Sequence, residues 1–143
     1  MKEQVLATIN DRLLATLDNS RNYTIAVAEA MPSESYSFKP VKDVWNFGEQ
    51  IHHIAYGIQW WESNYVKGVK TEWAPPAVSG GKTTLISNLK KAYAELEKTL
   101  NKGKLDDDAV SGFHATIDHI THHRAQCVLY LRGNGITPPE YSY

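Results

Sequence analysis

Cysteine occurs once in 143 residues, at Cys127, so no internal disulfide can form and zinc modules built on three or four thiolates have no ligands here. An excess of one charge is missing too. Fifteen Lys and Arg stand against 16 Asp and Glu, and the basic residues are scattered rather than gathered into a stripe, which argues against a nucleic-acid partner. No apolar run reaches the length of a membrane span. The opening residues, Met1 to Asn10, carry polar groups every few positions, unlike the apolar centre of an export signal. The expectation is a cytoplasmic protein with no membrane partner. Strand patterning is absent as well, which leaves helix as the regular structure for a chain long enough for one domain, residues 1–143.

What is present is helical periodicity in four blocks. Val5, Leu6, Ile9, Leu13, Leu14 and Leu17 recur at steps of three and four, and Ile25, Ala26, Ala28 and Ala30 follow after a polar patch. This block reads as one long helix or two abutting ones, ended by Pro32, with a loop from Ser33 to Pro40. A second helix begins near Asn46, which can cap the first turn while Glu49 reaches back, and its apolar face runs from Phe47 to Tyr65 before Gly68. Trp73 to Gly81 contains two prolines and two glycines and is a loop. Leu85, Leu89, Ala92, Leu96 and Leu100 define a third helix, with Gly103 as its stop. After the acidic turn Asp106-Asp107-Asp108, a fourth helix spans about Ser111 to Arg132, closed by Gly133-Asn134-Gly135. The predicted class is all-α, a four-helix bundle, an architecture that builds metal sites from side chains on facing helices.

Five of the six histidines fall in two short helical segments, His52-His53 and His119 with His122-His123. With His119 set at zero and about 100° per residue, Phe113, Ile117, Ile120, Cys127, Val128 and Leu131 mark the core side and His123 lies near 40°. His122 falls toward the rim and His114 toward solvent. Residues four apart stack one turn above another with Cβ atoms roughly 5–6 Å apart, which lets two imidazoles grip one divalent ion. His119 and His123 are therefore the preferred pair. On the second helix, periodicity places His52 and His53 about equally far from the main apolar face. His53 shares its side with Tyr56, Gly57 and Trp60, where small Gly57 leaves room for a ligand, and that tips the choice toward His53. Three histidines on two helices would keep open positions for water or substrate, the layout of a catalytic zinc site.

Plainer readings compete. A single helical histidine is usually a surface residue or a core residue with a satisfied hydrogen bond. Glu49-Gln50-Ile51-His52 fits the Glu-x-x-His of di-iron bundles, but the fourth helix has no second such motif, which excludes that design. Arg124, near the core side, is either an anion-binding group or the partner of a carboxylate, the second being the simpler reading. Cys127, one turn beyond His123, is either a fourth ligand or a small buried hydrophobe. Trp60, Trp61 and Tyr130 read as core and interface aromatics, with Trp60 as a candidate pocket wall.

Phe47 to Ile54, His119 to Gln126, and Tyr130 to Pro139 together resemble the DinB-like family of damage-inducible proteins, within the larger group that includes thiol-dependent transferases. With Tyr36-Ser37-Phe38-Lys39-Pro40 added, the resemblance covers nearly the whole length. Ala125 stands where the family often has glycine, and the segment between Leu100 and His119 is shorter than usual. The resemblance implies a four-helix bundle, often a homodimer, with a divalent metal, zinc or nickel, held by His53, His119 and His123. It further implies a metal-dependent enzyme acting on a small-molecule substrate. A transferase of a low-molecular-weight thiol to a small electrophile comes first; a hydrolase using metal-activated water, or a non-enzymatic metal-binding dimeric scaffold, are the alternatives. No side chain stands out as a general base.

The helical count makes its own prediction. His119→Ala abolishes stoichiometric zinc or nickel binding in equilibrium dialysis, whereas His122→Ala leaves it intact. Equal behaviour of the two variants would refute the assignment of faces.

Overall fold

The computed structural model describes residues 2–103 and 105–141, with side chains from residue 9 onward. Among them there are four long helices and no strand: α1 (Lys2–Ala30), α2 (Phe47–Trp61), α3 (Lys82–Asn101) and α4 (Asp107–Gly133). A 3₁₀ turn (Ser33–Ser35) follows α1, and a π-helical turn (Glu62–Val66) extends α2. The bundle expected from the periodicity is the fold observed. No described helix is long and apolar enough to cross a membrane.

The first block is a single helix. Its buried stripe runs Leu13, Leu17, Ser20, Thr24, Val27, Ala28 and Met31, so the polar patch that suggested two helices continues the core face through two hydroxyls. Burying a hydroxyl is tolerable only when it is hydrogen-bonded. Tyr93 of α3, itself fully buried, supplies the partner: its Oη lies 2.9 Å from Ser20 Oγ and donates to Thr24 Oγ1 at 3.0 Å. The side chains of Val5 and Leu6 lie outside the described residues.

Local signals set the helix ends. Asn46 Oδ1 accepts from the Glu49 backbone N–H at 2.8 Å. The first two amides of α2 are taken by backbone carbonyls of the preceding turn, Phe47 N to Phe38 O and Gly48 N to Tyr36 O. At its far end α4 closes in a Schellman motif: Ile136 N donates to Leu131 O and Gly135 N to Arg132 O, with Gly135 at φ 74°. Its start lies earlier than the sequence suggested. Asp106 is an N-cap whose side chain accepts from Ala109 N at 2.7 Å, and Asp107 and Asp108 occupy the first turn. The acidic run is thus the beginning of α4 rather than a turn before it, because carboxylates are favourable at the positive end of the helix dipole.

The π turn was not foreseen. Lys67 N bonds Glu62 O at 2.8 Å, and buried Asn64 holds the strap beyond it, donating to Trp60 O and Thr71 Oγ1 and accepting from Thr71 N. Buried Glu62 accepts from Thr99 Oγ1 at 2.6 Å and pairs with Lys67 Nζ at 3.0 Å, tying the turn to α3. The turn lies against α4 at Gly112, where a Cβ would meet Tyr65 Cβ and Tyr65 O at 2.6 Å. Backbone sits where a side chain would go, and the two segments approach this closely only over glycine.

Gly112→Ala is therefore expected to lower stability by about 1–3 kcal/mol, the usual cost of overpacking, read as a reduced urea midpoint. Ser111→Ala, next to it and exposed, is expected to change the midpoint little.

Candidate metal centre

The site lies on the seam between α2 and α4. His53 projects from the middle of α2; His119 and His123, one turn apart, project from α4. One ring nitrogen from each of the three lies within 4.8 Å of the other two. His53 Nε2 and His119 Nε2 are 3.0 Å apart, and the ring centroids of His53 and His123 are 4.2 Å apart. Two nitrogens about 2.0–2.1 Å from a tetrahedral zinc are separated by roughly 3.4 Å, so the observed spacing is close to what one small cation requires.

Each ring is oriented by its surroundings. His123 Nδ1 lies 2.8 Å from Gln126 Oε1 and 3.2 Å from Gln50 Oε1. Both are acceptors, which makes Nδ1 the protonated nitrogen and leaves the Nε2 lone pair for the cluster. Gln50 is buried and held in turn, its Nε2 donating to Tyr130 Oη at 3.4 Å, while Tyr130 Oη donates to Trp45 O at 2.7 Å. Tyr130, read from sequence as a core aromatic, thus also anchors the chain that sets a histidine tautomer. His119 is placed by shape. Its ring stacks on Trp61 at 4.6 Å and fills the space over Gly57, where a Cβ would lie 2.5 Å from His119 Cε1. The room that Gly57 was expected to leave for a ligand is taken by His119 itself. His119 Nδ1 is buried with no hydrogen-bond partner among the described residues.

Electrostatics favour the neutral rings. Burial, followed by the neighbouring His123 and His119, lowers His53 to about 4. Burial, followed by His123 and His122, lowers His119 to about 4. His123 is also lowered, chiefly by burial, against the opposing effect of the hydrogen bond it donates to Gln126. Neutral imidazoles are the form that binds metal. The fit of the three residues to a divalent ion rests on this chemistry: three half-buried, uncharged nitrogens, with no other His, Cys, Asp or Glu in the group among the described residues.

The remaining candidates sort clearly. His52 turns aside, its Nε2 2.9 Å from Pro76 O, and pins the loop beyond α2. His122 and His114 are exposed. Cys127 is fully buried in the core, and burial pushes its thiol up to about 12, which makes it the small hydrophobe of the two readings. Arg124 is buried but makes no ion pair with a carboxylate among the described residues, so the simpler reading of it fails. It donates to Thr24 Oγ1 at 3.3 Å.

Two tryptophans missed by periodicity complete the site. Trp45, just before α2, lies 4.7 Å from the His53 ring and 6.2 Å from that of His123. Trp73 comes from the long loop, 5.4 Å from His53 and 6.5 Å from His119, and Tyr56 Oη holds that loop by accepting from Ala74 N. Both indoles stay partly open, 46% and 41% exposed, and form an aromatic rim over the histidines. Of the α2 pair it is Trp61 that stacks on a histidine, while Trp60 packs against Trp61, Tyr65 and Trp73. Loop residues carry no periodic signal, so only the fold could bring Trp45 and Trp73 here.

The sequence profile of the DinB superfamily matches residues 16–134, from α1 to the end of α4. The chain belongs to the DinB superfamily. No curated protein matches it. Within this superfamily member, the matched region contains all three clustered histidines, the glutamines beside His123 and both rim tryptophans.

The lowered histidine pKa values set a pH dependence. Unfolded histidines titrate near 6.5, whereas His53 and His119 titrate at about 4 in the fold, so between these values the unfolded chain binds more protons. Stability of the metal-free protein present at neutral pH is expected to fall as pH drops through this window, with the histidine contribution levelling below about 4. Urea midpoints measured from pH 7.5 to 4 for wild type and His119→Leu give the check, the variant showing the shallower decline; parallel curves would count against neutral burial of this ring.

Proposed function

We propose that the three histidines hold a divalent metal ion, zinc or nickel, and that the protein is a metal-dependent enzyme transferring a low-molecular-weight thiol to a small electrophile. The observation that carries the metal reading is the convergence of three neutral imidazole nitrogens within 4.8 Å, with no fourth side-chain ligand in the group among the described residues. Three protein ligands are the number found in catalytic zinc sites, where the remaining position is left for an exogenous group. When bound, the ion supplies Lewis acidity that lowers the pKa of a thiol or water brought to it.

The chain's own residues do the rest. Gln50 and Gln126 hold His123 in the tautomer that presents Nε2, and the stack of Trp61 on His119 resists rotation of that ring. Trp45 and Trp73 narrow the approach and offer flat apolar faces to a substrate. Both indoles remain partly open, so they shelter one side of the histidines without sealing them, and thiol transfer ranks above hydrolysis on the family resemblance. The proposal includes a homodimer, carried by the family resemblance alone, and a cytoplasmic location, as expected from the sequence.

The test begins with elemental analysis of purified protein loaded with zinc or nickel, and continues with a thiol panel against a chromogenic alkylating electrophile. A rate that needs both metal and a particular thiol, and that disappears in His53→Ala, supports the proposal. Metal-dependent ester or amide hydrolysis without thiol would replace transfer by hydrolysis. Protein that takes up no metal and gains no thermal stability from either ion would sink both and leave a scaffold.

A further inference from the structure

We propose that the face between α1 and α4 carries a second binding site, for a small organic carboxylate with a short apolar body, in which Arg124 holds the carboxylate. Arg124 is 6% exposed, yet among the described residues its guanidinium makes one hydrogen bond, Nη1 to Thr24 Oγ1 at 3.3 Å. That acceptor is shared, since Tyr93 Oη donates to it as well. A guanidinium has five N–H donors and stays charged at any ordinary pH. The aromatic rings beside it, Tyr23 at 4.9 Å and Tyr141 at 5.7 Å, stabilise a cation but accept no fork of hydrogen bonds. A cation withdrawn from water without a counter-charge is costly, and an anion placed against it removes that cost.

The space for such an anion is present. A cavity of about 260 Å³ opens beside Arg124, lined by Thr16, Asn19 and Ser20 of α1 and Ile117 and Thr121 of α4. The Ser20 proton is given to Tyr93, which leaves the hydroxyls of Thr16 and Thr121 and the amide of Asn19 able to donate to carboxylate oxygens. A second cavity of about 430 Å³ shares Arg124 and Thr121 with the first. Its other walls include Tyr23, Ala125, Val128 and Leu129, the last 66% exposed. A pocket of mixed lining that carries the hydrogen-bond donors and an apolar groove, meeting at one buried guanidinium, suit a ligand with a charged head and an apolar tail. None of the three clustered histidines lines either cavity, so this site stands apart from the candidate metal centre.

Titration calorimetry of the full chain with hexanoate, 1-hexanol and inorganic phosphate tests this. Hexanoate is expected to bind at one site per chain, with hexanol and phosphate each weaker by about tenfold or more, since each lacks one half of the recognition. Arg124→Met is expected to weaken hexanoate by a similar factor. Because that position is buried, Leu129→Asp provides a second variant: it leaves the core untouched, sets a negative charge in the groove, and is expected to reduce hexanoate binding while circular dichroism and zinc uptake match wild type. The proposal is overturned if hexanoate does not bind, if hexanol or phosphate binds as well as hexanoate, or if Leu129→Asp binds hexanoate unchanged. It is equally overturned if wild type sediments as a dimer that Leu129→Asp splits and hexanoate binds to neither form, for the face is then an interface between copies.

Discussion

Three imidazoles crowded into one small volume repel one another as soon as they charge, and the α2–α4 seam is built so that they do not. Burial withdraws His53, His119 and His123 from the water that would stabilise their protonated forms, and each ring, once protonated, makes protonation of the next less favourable. The same condition that keeps the seam packed at neutral pH leaves nitrogen lone pairs free to bind a cation. Structure and candidate chemistry therefore depend on one constraint, the exclusion of protons from this cluster.

Meeting that constraint required unusual closeness between the helices. Gly57 lets the His119 ring settle onto α2, and Gly112 lets the π turn settle onto α4. The π turn also redirects the chain, which leaves α2 through the Asn64–Thr71 contacts, while His52 and Tyr56 hold the loop by Pro76 and Ala74. Trp73 arrives beside the histidines as a result. An irregular turn at the end of α2 thus helps to shape the site.

The two faces of α4 differ in how they treat polar groups. Toward α2 it presents neutral histidines braced by Gln50 and Gln126; toward α1 it presents a permanent cation among tyrosine rings and hydroxyls. A bundle this small rarely buries a charge without a partner of opposite sign. Membership of the DinB superfamily agrees with the four helices, while the histidine seam and the Arg124 face rest on this chain's own contacts.

Periodicity alone determined the four helices, the core face of α3 and the partition of the α4 histidines, because on a regular helix direction follows from position number. Capping chemistry was legible at Asn46 and the Gly133–Gly135 end, and was misread at Asp106, where a run of acids looks the same whether it precedes a helix or begins one. The helical count could not separate His52 from His53. Tertiary structure does, since one ring faces α4 and the other faces a loop whose path no local rule specifies. It also decided that Ser20 and Thr24 belong in the core, that His119 occupies the space over Gly57, and that Trp45 and Trp73 join the histidines. Each of these depends on a partner distant in the chain, and sequence spacing encodes direction along one helix but not what stands opposite it.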